Sequence, residues 1–522
     1  MTHRFPLLLA IAALASLPAS PAAAQNATHK HSSHAASQSS AAPRIAVTVL
    51  PVDPASGDSV RVIISRDFDF GDRIRVVPPD SITRASAVIR AVQSPTGLTV
   101  SLMDPRTSAV RQERQFPLPA VPARRDTAIV DSVGRALAAR VAERRSALAR
   151  YTVLGDSLRL EQAKKAPRLR NTKERAAHAR LVAARDSVLG TLAVSDSITR
   201  ADAKRDSVTT DSTLKVLVAH DAFARDSTAG EIRWALHGVA DEAEQWITGH
   251  RGTAQSRVTY VARGELRVVD ADGANDHAIT HGGNALSPTW RHDGRAVVYS
   301  DMNDFGTQIE WVDLNTGRAN IVNATKRGLN ITPIFSPDDH WIYFANGDDN
   351  RTQLVAASLD TTLPLKRVNI PLPFDCSSPV FSPDGSRIAF VSSRPKLPQI
   401  YSVNLDGSGD RLETPHPGSA RSYRTSPDWS PDGRAIAFQQ QNGDFQVWSV
   451  SLPDHKLRKL TSAGENEDPT WAPDARHIAL TSNRAGAKAI WILDTQSGRL
   501  RQLTGVGDAR LAAWSPMLHS AH

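Results

Sequence analysis

The sequence of 522 residues has a single cysteine, Cys376, and only 6% aromatic residues. One cysteine cannot form an intramolecular disulfide, so we expect packing alone to hold the fold together. After residue 24, no apolar run approaches the ~20 residues that a membrane-spanning helix needs. The sequence therefore predicts a chain that does not insert into a membrane, and its length predicts more than one domain.

The first 24 residues have the pattern of a secretory signal peptide. His3 and Arg4 provide a basic start, an apolar stretch follows, and small residues at 22–24 precede Gln25. This pattern predicts secretion and cleavage before Gln25, and because no cysteine follows the cleavage site we do not expect a lipid anchor there. Residues 25–43 are rich in Ala, Ser, His and Gln, which predicts a flexible linker.

The formal net charge of +8 is concentrated in one segment. Residues 122–229 contain 21 basic and 13 acidic side chains, so the rest of the chain is neutral overall. A positive excess confined to one segment of an exported chain does not favour a nucleic-acid partner. This segment is rich in Ala, Arg, Asp and Ser and poor in large apolar residues, which predicts a partly helical insertion without a core of its own.

A phrase typified by "SPDWSPDGRAIAF" at 426–438 recurs along the second half of the chain. The six copies align on one aromatic residue each, namely Trp290, Phe335, Phe381, Trp429, Trp471 and Trp514, with spacings of 45, 46, 48, 42 and 43 residues. A period of this size is typical of a β-propeller. Each copy combines a Pro-Asp-Gly turn with alternating apolar residues, and further strand patterns follow, which predicts four antiparallel strands per repeat.

The number of repeats predicts six blades. Five units follow Ser287, while outer strands at 257–273 have no innermost strand of their own. The terminal "LAAWSP" at 511–516 is an innermost strand without a blade, so we expect the two ends to form one blade and close the ring. The aromatic residue of each copy is expected to wedge between neighbouring blades.

Residues 44–121 and 230–256 predict a small α/β domain around the insertion. Strand patterns occur at 44–52, 73–77, 86–92, 98–104 and 110–118, with a helix that begins near Ser56 or Asp58. A second helix is predicted at 231–249 from apolar residues at helical spacing. The whole chain is thus predicted to be an all-β six-bladed propeller at 257–522 preceded by an α/β domain.

The sequence contains none of the common catalytic motifs, neither G-x-S-x-G, H-E-x-x-H nor C-x-x-C. "DADGAND" at 270–276 begins like a calcium loop but lacks the closing Glu, so we expect a blade turn. We therefore expect no enzyme activity, no cofactor and no metal. Once per blade, a small polar residue stands immediately before the proline, at what we expect to be equivalent strand ends around one channel mouth. These residues are the candidate partner-binding positions: Ser287, Thr332, Ser378, Ser426 and Asp468.

The order of these segments resembles the TolB family of the Tol–Pal system. The resemblance rests on "RVTYVARGELRVVDADGAN" at 257–275, the "SPDG" series, "NEDPTWAPDARHIALTSNRAG" at 466–486 and "LAAWSPML" at 511–518. It implies a periplasmic, monomeric scaffold that binds the lipoprotein Pal at the propeller mouth and the inner-membrane protein TolA through its mature N-terminus. It also implies a role in outer-membrane integrity and cell division.

Two alternatives remain open at this point. One is an exported propeller enzyme, such as a glycan lyase, which would bring His and Arg side chains together in one pocket. The other is a TolB-like propeller that serves a different envelope complex.

Overall fold

The computed structural model describes most of the predicted domains. The described residues are 44–50, 59–94, 97–119, 175–176, 178–180, 182–183, 229–304, 306–322, 328–347, 352–359, 375–394, 397–415 and 422–518. The predicted signal peptide at 1–24, the linker at 25–43, the helix start at 56–58 and nearly all of the insertion lie outside them. Of the helices within these ranges, none is both long and apolar enough to cross a membrane.

The N-terminal region is a five-stranded mixed sheet with two helices. The sheet order is β2-β1-β3-β4-β5, where β1 pairs in parallel with β2 and β3, and β3, β4 and β5 are antiparallel. The strands are β1 (Ile45–Val49), β2 (Ile74–Val76), β3 (Ala87–Ser94), β4 (Gly97–Met103) and β5 (Val110–Pro117). Helix α1 spans Ser59–Phe70, a short 3-10 helix spans Pro79–Arg84, and helix α2 spans 229–248. The predicted strands and the second predicted helix are therefore present.

Both helices bury an apolar stripe against the sheet. Ile64 and Phe68 of α1 and Val239 and Ala243 of α2 join one core with the sheet residue Ile89. Their spacing of four residues places each pair on one helix face, which is why the amphipathic pattern of the sequence located α2 correctly.

Residues 257–514 form six sheets arranged as blades. The strands are β6 (Arg257–Ala262), β7 (Glu265–Asp270), β8 (His277–Ala278), β9 (Ala285–Trp290), β10 (Ala296–Asn303), β11 (Gly306–Asp313), β12 (Ala319–Ile321), β13 (Leu329–Phe335), β14 (Trp341–Gly347), β15 (Thr352–Ser358), β16 (Ser377–Phe381), β17 (Arg387–Ser392), β18 (Gln399–Asn404), β19 (Arg411–Leu412), β20 (Tyr423–Trp429), β21 (Ala435–Asn442), β22 (Asp444–Ser451), β23 (Leu457–Lys459), β24 (Asn466–Trp471), β25 (His477–Ser482), β26 (Ala489–Asp494), β27 (Leu500–Gln502) and β28 (Ala509–Trp514).

Each sheet forms one blade of the propeller. Blades 1 to 5 are β9–β12, β13–β15, β16–β19, β20–β23 and β24–β27, and in blade 2 the place of a fourth strand falls outside the described residues. Blade 6 has the order β28-β6-β7-β8, so the last strand of the chain is the innermost strand of the blade that the propeller begins with. This pairing confirms the predicted closure and the six-bladed fold.

The repeated aromatic residues lie between blades, as predicted. Trp290 of blade 1 packs against Val261 and Leu266 of blade 6. Trp471 of blade 5 packs against Ala437 and Val447 of blade 4. Phe335, Trp429 and Trp514 occupy the same position, and Phe381 contacts Tyr343 of blade 2 edge-on at 5.1 Å. Each blade therefore buries one large ring against its predecessor, which joins the blades without disulfides.

The α/β domain contacts the propeller through charged groups. At the end of α1, Asp72 Oδ1 accepts a hydrogen bond from Arg499 at 2.7 Å, and its Oδ2 lies 3.4 Å from Nε2 of His477. Arg66 of α1 donates to the carbonyl oxygen of Asp272 in blade 6 at 2.5 Å. Ion pairs and hydrogen bonds therefore join the domain to blades 5 and 6.

Candidate functional site

The innermost strands of all six blades line one central cavity of about 560 Å³. Its wall consists of the proline-containing halves of these strands and the prolines of the turns that follow them. All five candidate residues belong to this wall: Ser287, Thr332, Ser378, Ser426 and Asp468. The structure therefore brings together residues that lie up to 181 positions apart in the sequence.

Each innermost strand contains a β-bulge at the candidate position. In β9, Leu286 pairs with Ser300 and Thr289 with Val298, so Ser287 and Pro288 oppose a single residue of β10. The same two-against-one pairing occurs in the other five blades. Proline has no N–H for the ladder and is confined to strand edges and bulges, which explains why the repeated proline coincides with the bulge.

The residue before each proline has a left-handed backbone. Its φ is 48° at Ser287, 52° at Thr332, 50° at Ser378, 51° at Ser426 and 49° at Asp468. L-residues rarely adopt this region, and for the β-branched Thr332 it is a clear outlier. Such strain persists only where the surrounding structure enforces it, and it clusters at functional sites.

The sixth blade contributes Leu511, which the sequence analysis did not include. Its φ is 55°, it lies in the bulge of β28, and it lines the same cavity. The sequence did contain the signal, because Leu511 precedes Trp514 by three residues as Ser287 precedes Trp290. The copy lacks the proline, since Ala512 stands in its place, and so the pattern was less obvious. We call the six residues at this level the bulge ring.

One detail of the prediction was wrong. The candidate residues were expected at the ends of short strands, whereas they lie within longer ones. Thr332 is the fourth residue of Leu329–Phe335, and Ser426 is the fourth residue of Tyr423–Trp429. The strands continue on the far side of each bulge, so the bulge ring lies inside the cavity wall rather than at a strand terminus.

Neighbouring members of the bulge ring contact each other. The backbone N–H of Ser378 donates to Oγ1 of Thr332 at 3.2 Å, and Oγ of Ser426 donates to Oδ1 of Asp468 at 3.3 Å. The N–H of Leu511 donates to Oγ1 of Thr481 at 3.2 Å. The first and third bonds satisfy backbone N–H groups at the bulges, and the second joins two ring side chains.

Two carboxyl groups of the cavity wall have raised pKa values. Burial raises the pKa of Asp468 to about 7, and the neighbouring Glu467 adds to the effect. Burial also raises the pKa of Asp428 to about 6, although this carboxylate accepts a hydrogen bond from the N–H of Trp471 at 2.6 Å. Asp428 thus connects blades 4 and 5, whereas Asp468 belongs to the bulge ring.

The described lining of the cavity is poor in basic side chains. Within the part of the chain that the structure describes, its lining residues include His292 but neither Arg nor Lys. His292 is engaged with Asp339, whose Oδ1 lies 2.9 Å from its Nδ1. A glycan lyase was expected to bring His and Arg side chains together in one pocket. These lining residues do not include such a group.

Two groups of buried side chains have the composition of metal ligands. They are Asp67, His237 and Asp272, and Asp72, His477 and Asp494. In the first group Asp272 is bound by Arg233, and in the second Asp494 is bound by Arg476 at 2.7 Å. Guanidinium groups occupy these carboxylates and would repel a cation. We interpret both groups as ion-pair networks that join the α/β domain to blades 5 and 6.

"DADGAND" is a turn, as expected. Asp272 lies in the connection between β7 and β8, and its Oδ1 accepts the N–H of Ala274 at 3.0 Å. Its Oδ2 is bound by Arg233. The acidic residue that suggested a calcium loop therefore belongs to the contact between the two domains.

Fold and cavity together define a six-bladed β-propeller protein preceded by an α/β domain. The family described as "TolB beta propeller domain" matches residues 245–518, just over half of the chain. The chain belongs to this TolB family.

Similarity to individual proteins agrees with this assignment. Two proteins named "Tol-Pal system protein TolB", from Francisella tularensis subsp. tularensis strain FSC 198 and subsp. holarctica strain OSU18, are 26% identical over 277 residues. The match covers 50% of this chain, which spans 62% of the length of those relatives. TolB from Acinetobacter baumannii superposes with a TM-score of 0.62 at 17% identity, covering 91% of this chain and 98% of that one. At this identity the superposition supports the fold alone.

Proposed function

We propose that the chain is a periplasmic scaffold without enzyme activity that serves the Tol–Pal envelope system. In this proposal it binds a Pal-like lipoprotein through the bulge ring and supports outer-membrane integrity and cell division. The observation that carries the proposal is the ring itself: one strained, cavity-lining residue per blade, five of them small or polar. A ring of side chains at one level suits the recognition of a segment inserted along the propeller axis.

The composition of the cavity favours a binding surface over catalysis. The ring positions carry hydroxyl groups at Ser287, Thr332, Ser378 and Ser426, which donate and accept hydrogen bonds without charge. A lyase needs a positioned base and a cation to stabilise developing negative charge, and the described lining offers neither arginine nor lysine. The raised pKa of Asp468 fits a recognition group in a desolvated wall.

The domain division is part of the same proposal. Residues 44–121 and 230–256 form the α/β domain, 257–522 form the propeller, and 122–229 form a solvated insertion. The mature N-terminus, which begins with the linker at 25–43, is the proposed attachment for a TolA-like inner-membrane protein. We propose that the protein acts as a monomer, since β28 and β6 pair within one chain and closure of the ring needs no second copy.

The proposal is tested by a charged pair in the ring. Thr332→Arg with Ser378→Glu leaves the net charge unchanged and places two long side chains in the cavity. We expect binding of the soluble domain of the Pal-like lipoprotein, measured by calorimetry, to weaken at least about tenfold. Thr332 already has a positive φ with a β-branched side chain, so arginine adds no backbone strain and the melting temperature should change little.

A matched control carries the same charges on the outer surface. Asn320→Arg with Gln496→Glu replaces exposed residues far from the cavity lining and should bind like the wild type. Unchanged affinity of the folded ring variant would refute the proposed binding site. Equal loss in both variants would show a non-specific effect of charge.

A further inference from the structure

The bulge ring has one side that differs from the rest. Blades 1 to 4 present four hydroxyl side chains in succession: Ser287, Thr332, Ser378 and Ser426. Blades 5 and 6 present Asp468 and Leu511, which are adjacent because blade 6 follows blade 5 around the ring. A carboxyl group and an isobutyl group therefore stand side by side, and no other pair of neighbouring blades repeats this combination.

The backbone alone cannot orient a ligand in this cavity. The φ values of the six ring residues fall between 48° and 55°, and the same bulge recurs in every blade. An inserted segment would therefore meet six nearly equivalent rotational settings, related by steps of about 60°. Only side chains can distinguish these settings, and the pair Asp468–Leu511 is the strongest departure from equivalence.

The Asp468 carboxylate has an oxygen available to a ligand. Its Oδ1 accepts a long hydrogen bond from Ser426 at 3.3 Å, and no group of the described residues donates to Oδ2. The charges that face it are Glu467 on its own strand, Lys488 in the loop before β26, and Arg510 on β28. Lys488 is paired with Glu467 at 2.5 Å, so their charges largely cancel.

These surroundings favour a neutral hydrogen-bond donor over a cation. Since Lys488 and Glu467 largely cancel, a lysine or arginine of a partner would meet the charge of Arg510 close by, whereas a peptide N–H carries no net charge. Next to this acceptor, Leu511 packs on the core shared by blades 6 and 1 and also lines the cavity. An apolar side chain that follows the donor N–H would cover it.

We propose that the inserted segment of the partner binds in a single rotational setting, with a peptide N–H donating to Asp468 Oδ2 and an apolar side chain on Leu511. This inference rests on the proposed function and specifies the chemistry of the same site. A hydrogen bond to a charged acceptor changes affinity by about tenfold to a hundredfold. The hydroxyl side chains of blades 1 to 4 then contact the remaining surface of the segment.

The decisive experiment moves the carboxyl group without changing the composition of the ring. Thr332→Asp combined with Asp468→Thr transfers it three blades away, from blade 5 to blade 2, and separates it from Leu511. We expect the swap to weaken binding of the lipoprotein's soluble domain by at least about tenfold. A folded swap variant that binds like the wild type would overturn the single setting.

A second variant tests the same proposal in case the swap variant does not fold. Asp468→Asn keeps the size of the side chain and removes its charge, and it should lose most of the same affinity. Because burial raises the pKa of Asp468 to about 7, wild-type affinity should fall as the pH decreases from 8 to 6. Asp468→Asn should remove that part of the pH dependence, whereas Ser287→Ala should retain it. An Asp468→Asn variant with the wild-type affinity and pH profile would contradict the proposal.

A small probe separates a wrong partner from a wrong binding chemistry at Asp468 and Leu511. If the lipoprotein domain does not bind the wild type at all, N-acetyl-leucine amide, which carries N–H donors beside an isobutyl group, decides the inference. A saturable change in the ¹³C signal of the Asp468 carboxyl group, lost in Leu511→Ala, would support the donor–apolar pair although the partner is wrong. No such change would overturn it.

Discussion

The indole Nε1 of Trp290 donates a hydrogen bond to the carbonyl oxygen of Ala513 at 3.0 Å. The same oxygen accepts Oγ1 of Thr259 at 3.3 Å. Blade 1 and the first strand of the propeller thus hold the last strand of the chain from both sides. Trp514, one residue further on, is buried and donates from its Nε1 to Oγ of Ser256 at 2.8 Å. The closure of the ring therefore depends on a few residues near the end of the chain.

Removal of residues 511–522 is expected to destabilise the propeller severely. It strips most of β28 from β6 and deletes Trp514, and the loss of a buried Trp alone costs about 3–5 kcal/mol. Total stability is roughly 5–15 kcal/mol, so the truncated protein should be insoluble or melt far below the full-length protein. Circular dichroism during heating measures the effect. Removal of 519–522 is the control, and a truncation at Arg510 with the full-length melting curve would disprove the closure.

Arg424 forms a buried clasp between blades 3 and 4. Its guanidinium donates to Oε1 of Gln440 at 2.8 Å, to Oε1 of Gln399 at 3.1 Å and to the carbonyl of Thr414 at 3.1 Å. Arg424→Met would remove the guanidinium donor from these buried acceptors and should cost about 2–4 kcal/mol in urea denaturation. Arg424→Lys should recover little of the lost stability, because a single ammonium group cannot reproduce the planar set of donors of a guanidinium.

The control for this clasp is Arg318→Met, which changes an exposed arginine. Surface substitutions of this kind stay within about 0.5 kcal/mol. Equal effects of the two substitutions would show that the buried hydrogen bonds of Arg424 contribute little.

The contact between the two domains should weaken at alkaline pH. Burial opposes the charged form of His477, but Asp474 and Asp72 more than offset it and raise the pKa of His477 to about 9. A pKa raised above the unfolded value of ~6.5 contributes stability that is complete below that pH and is lost as the pH rises through 9. Wild-type stability should therefore fall between pH 7 and 9 by roughly 2–3 kcal/mol.

His477→Gln provides the comparison for this titration. The variant should be less stable at pH 7 and show little further loss up to pH 9, since the titrating group is gone. Denaturation curves at several pH values measure both slopes. Parallel slopes for wild type and variant would contradict a charged His477.

Replacement of 122–229 by a linker of about ten Gly and Ser residues should leave a folded protein. The elements on either side of the insertion already contact each other, because Arg114 of β5 pairs with Glu242 of α2 at 2.7 Å and Phe116 packs near Trp246. Shortening the loop to about ten residues lowers the entropic cost of its closure by about 2 kcal/mol, which favours the folded state. Scanning calorimetry should show the propeller transition unshifted, and aggregation of the deletion variant would show that the insertion is part of the core.

Repetition explains why the ring was largely predictable. Ser287 and Thr332 were recognisable because each precedes a proline at a fixed distance from an aromatic residue. The strained backbone of these residues could not be recognised from the sequence. A positive φ at a residue such as Thr332 arises from the bulge, and the bulge depends on pairing with the next strand. Leu511 was missed because its copy lacks the proline.

The contacts between the domains could not be predicted from sequence patterns. Asp72 and His477 lie 405 positions apart, and neither belongs to a motif that links them. Their partnership follows from the docking of α1 on blade 5, which local propensity and periodicity do not encode. The acidic Asp272 even suggested a calcium loop, whereas its partners are Arg66 and Arg233.

The most direct test of the central claim is photo-crosslinking from inside the cavity in living cells. A photoreactive phenylalanine derivative at Ser378 should capture an outer-membrane lipoprotein of the Pal type, identified by mass spectrometry. The same residue at the exposed Asn320 should not capture it. Capture from Ser378 alone is the result that the account predicts. No lipoprotein captured from Ser378, or equal capture from both positions, would contradict binding at the bulge ring.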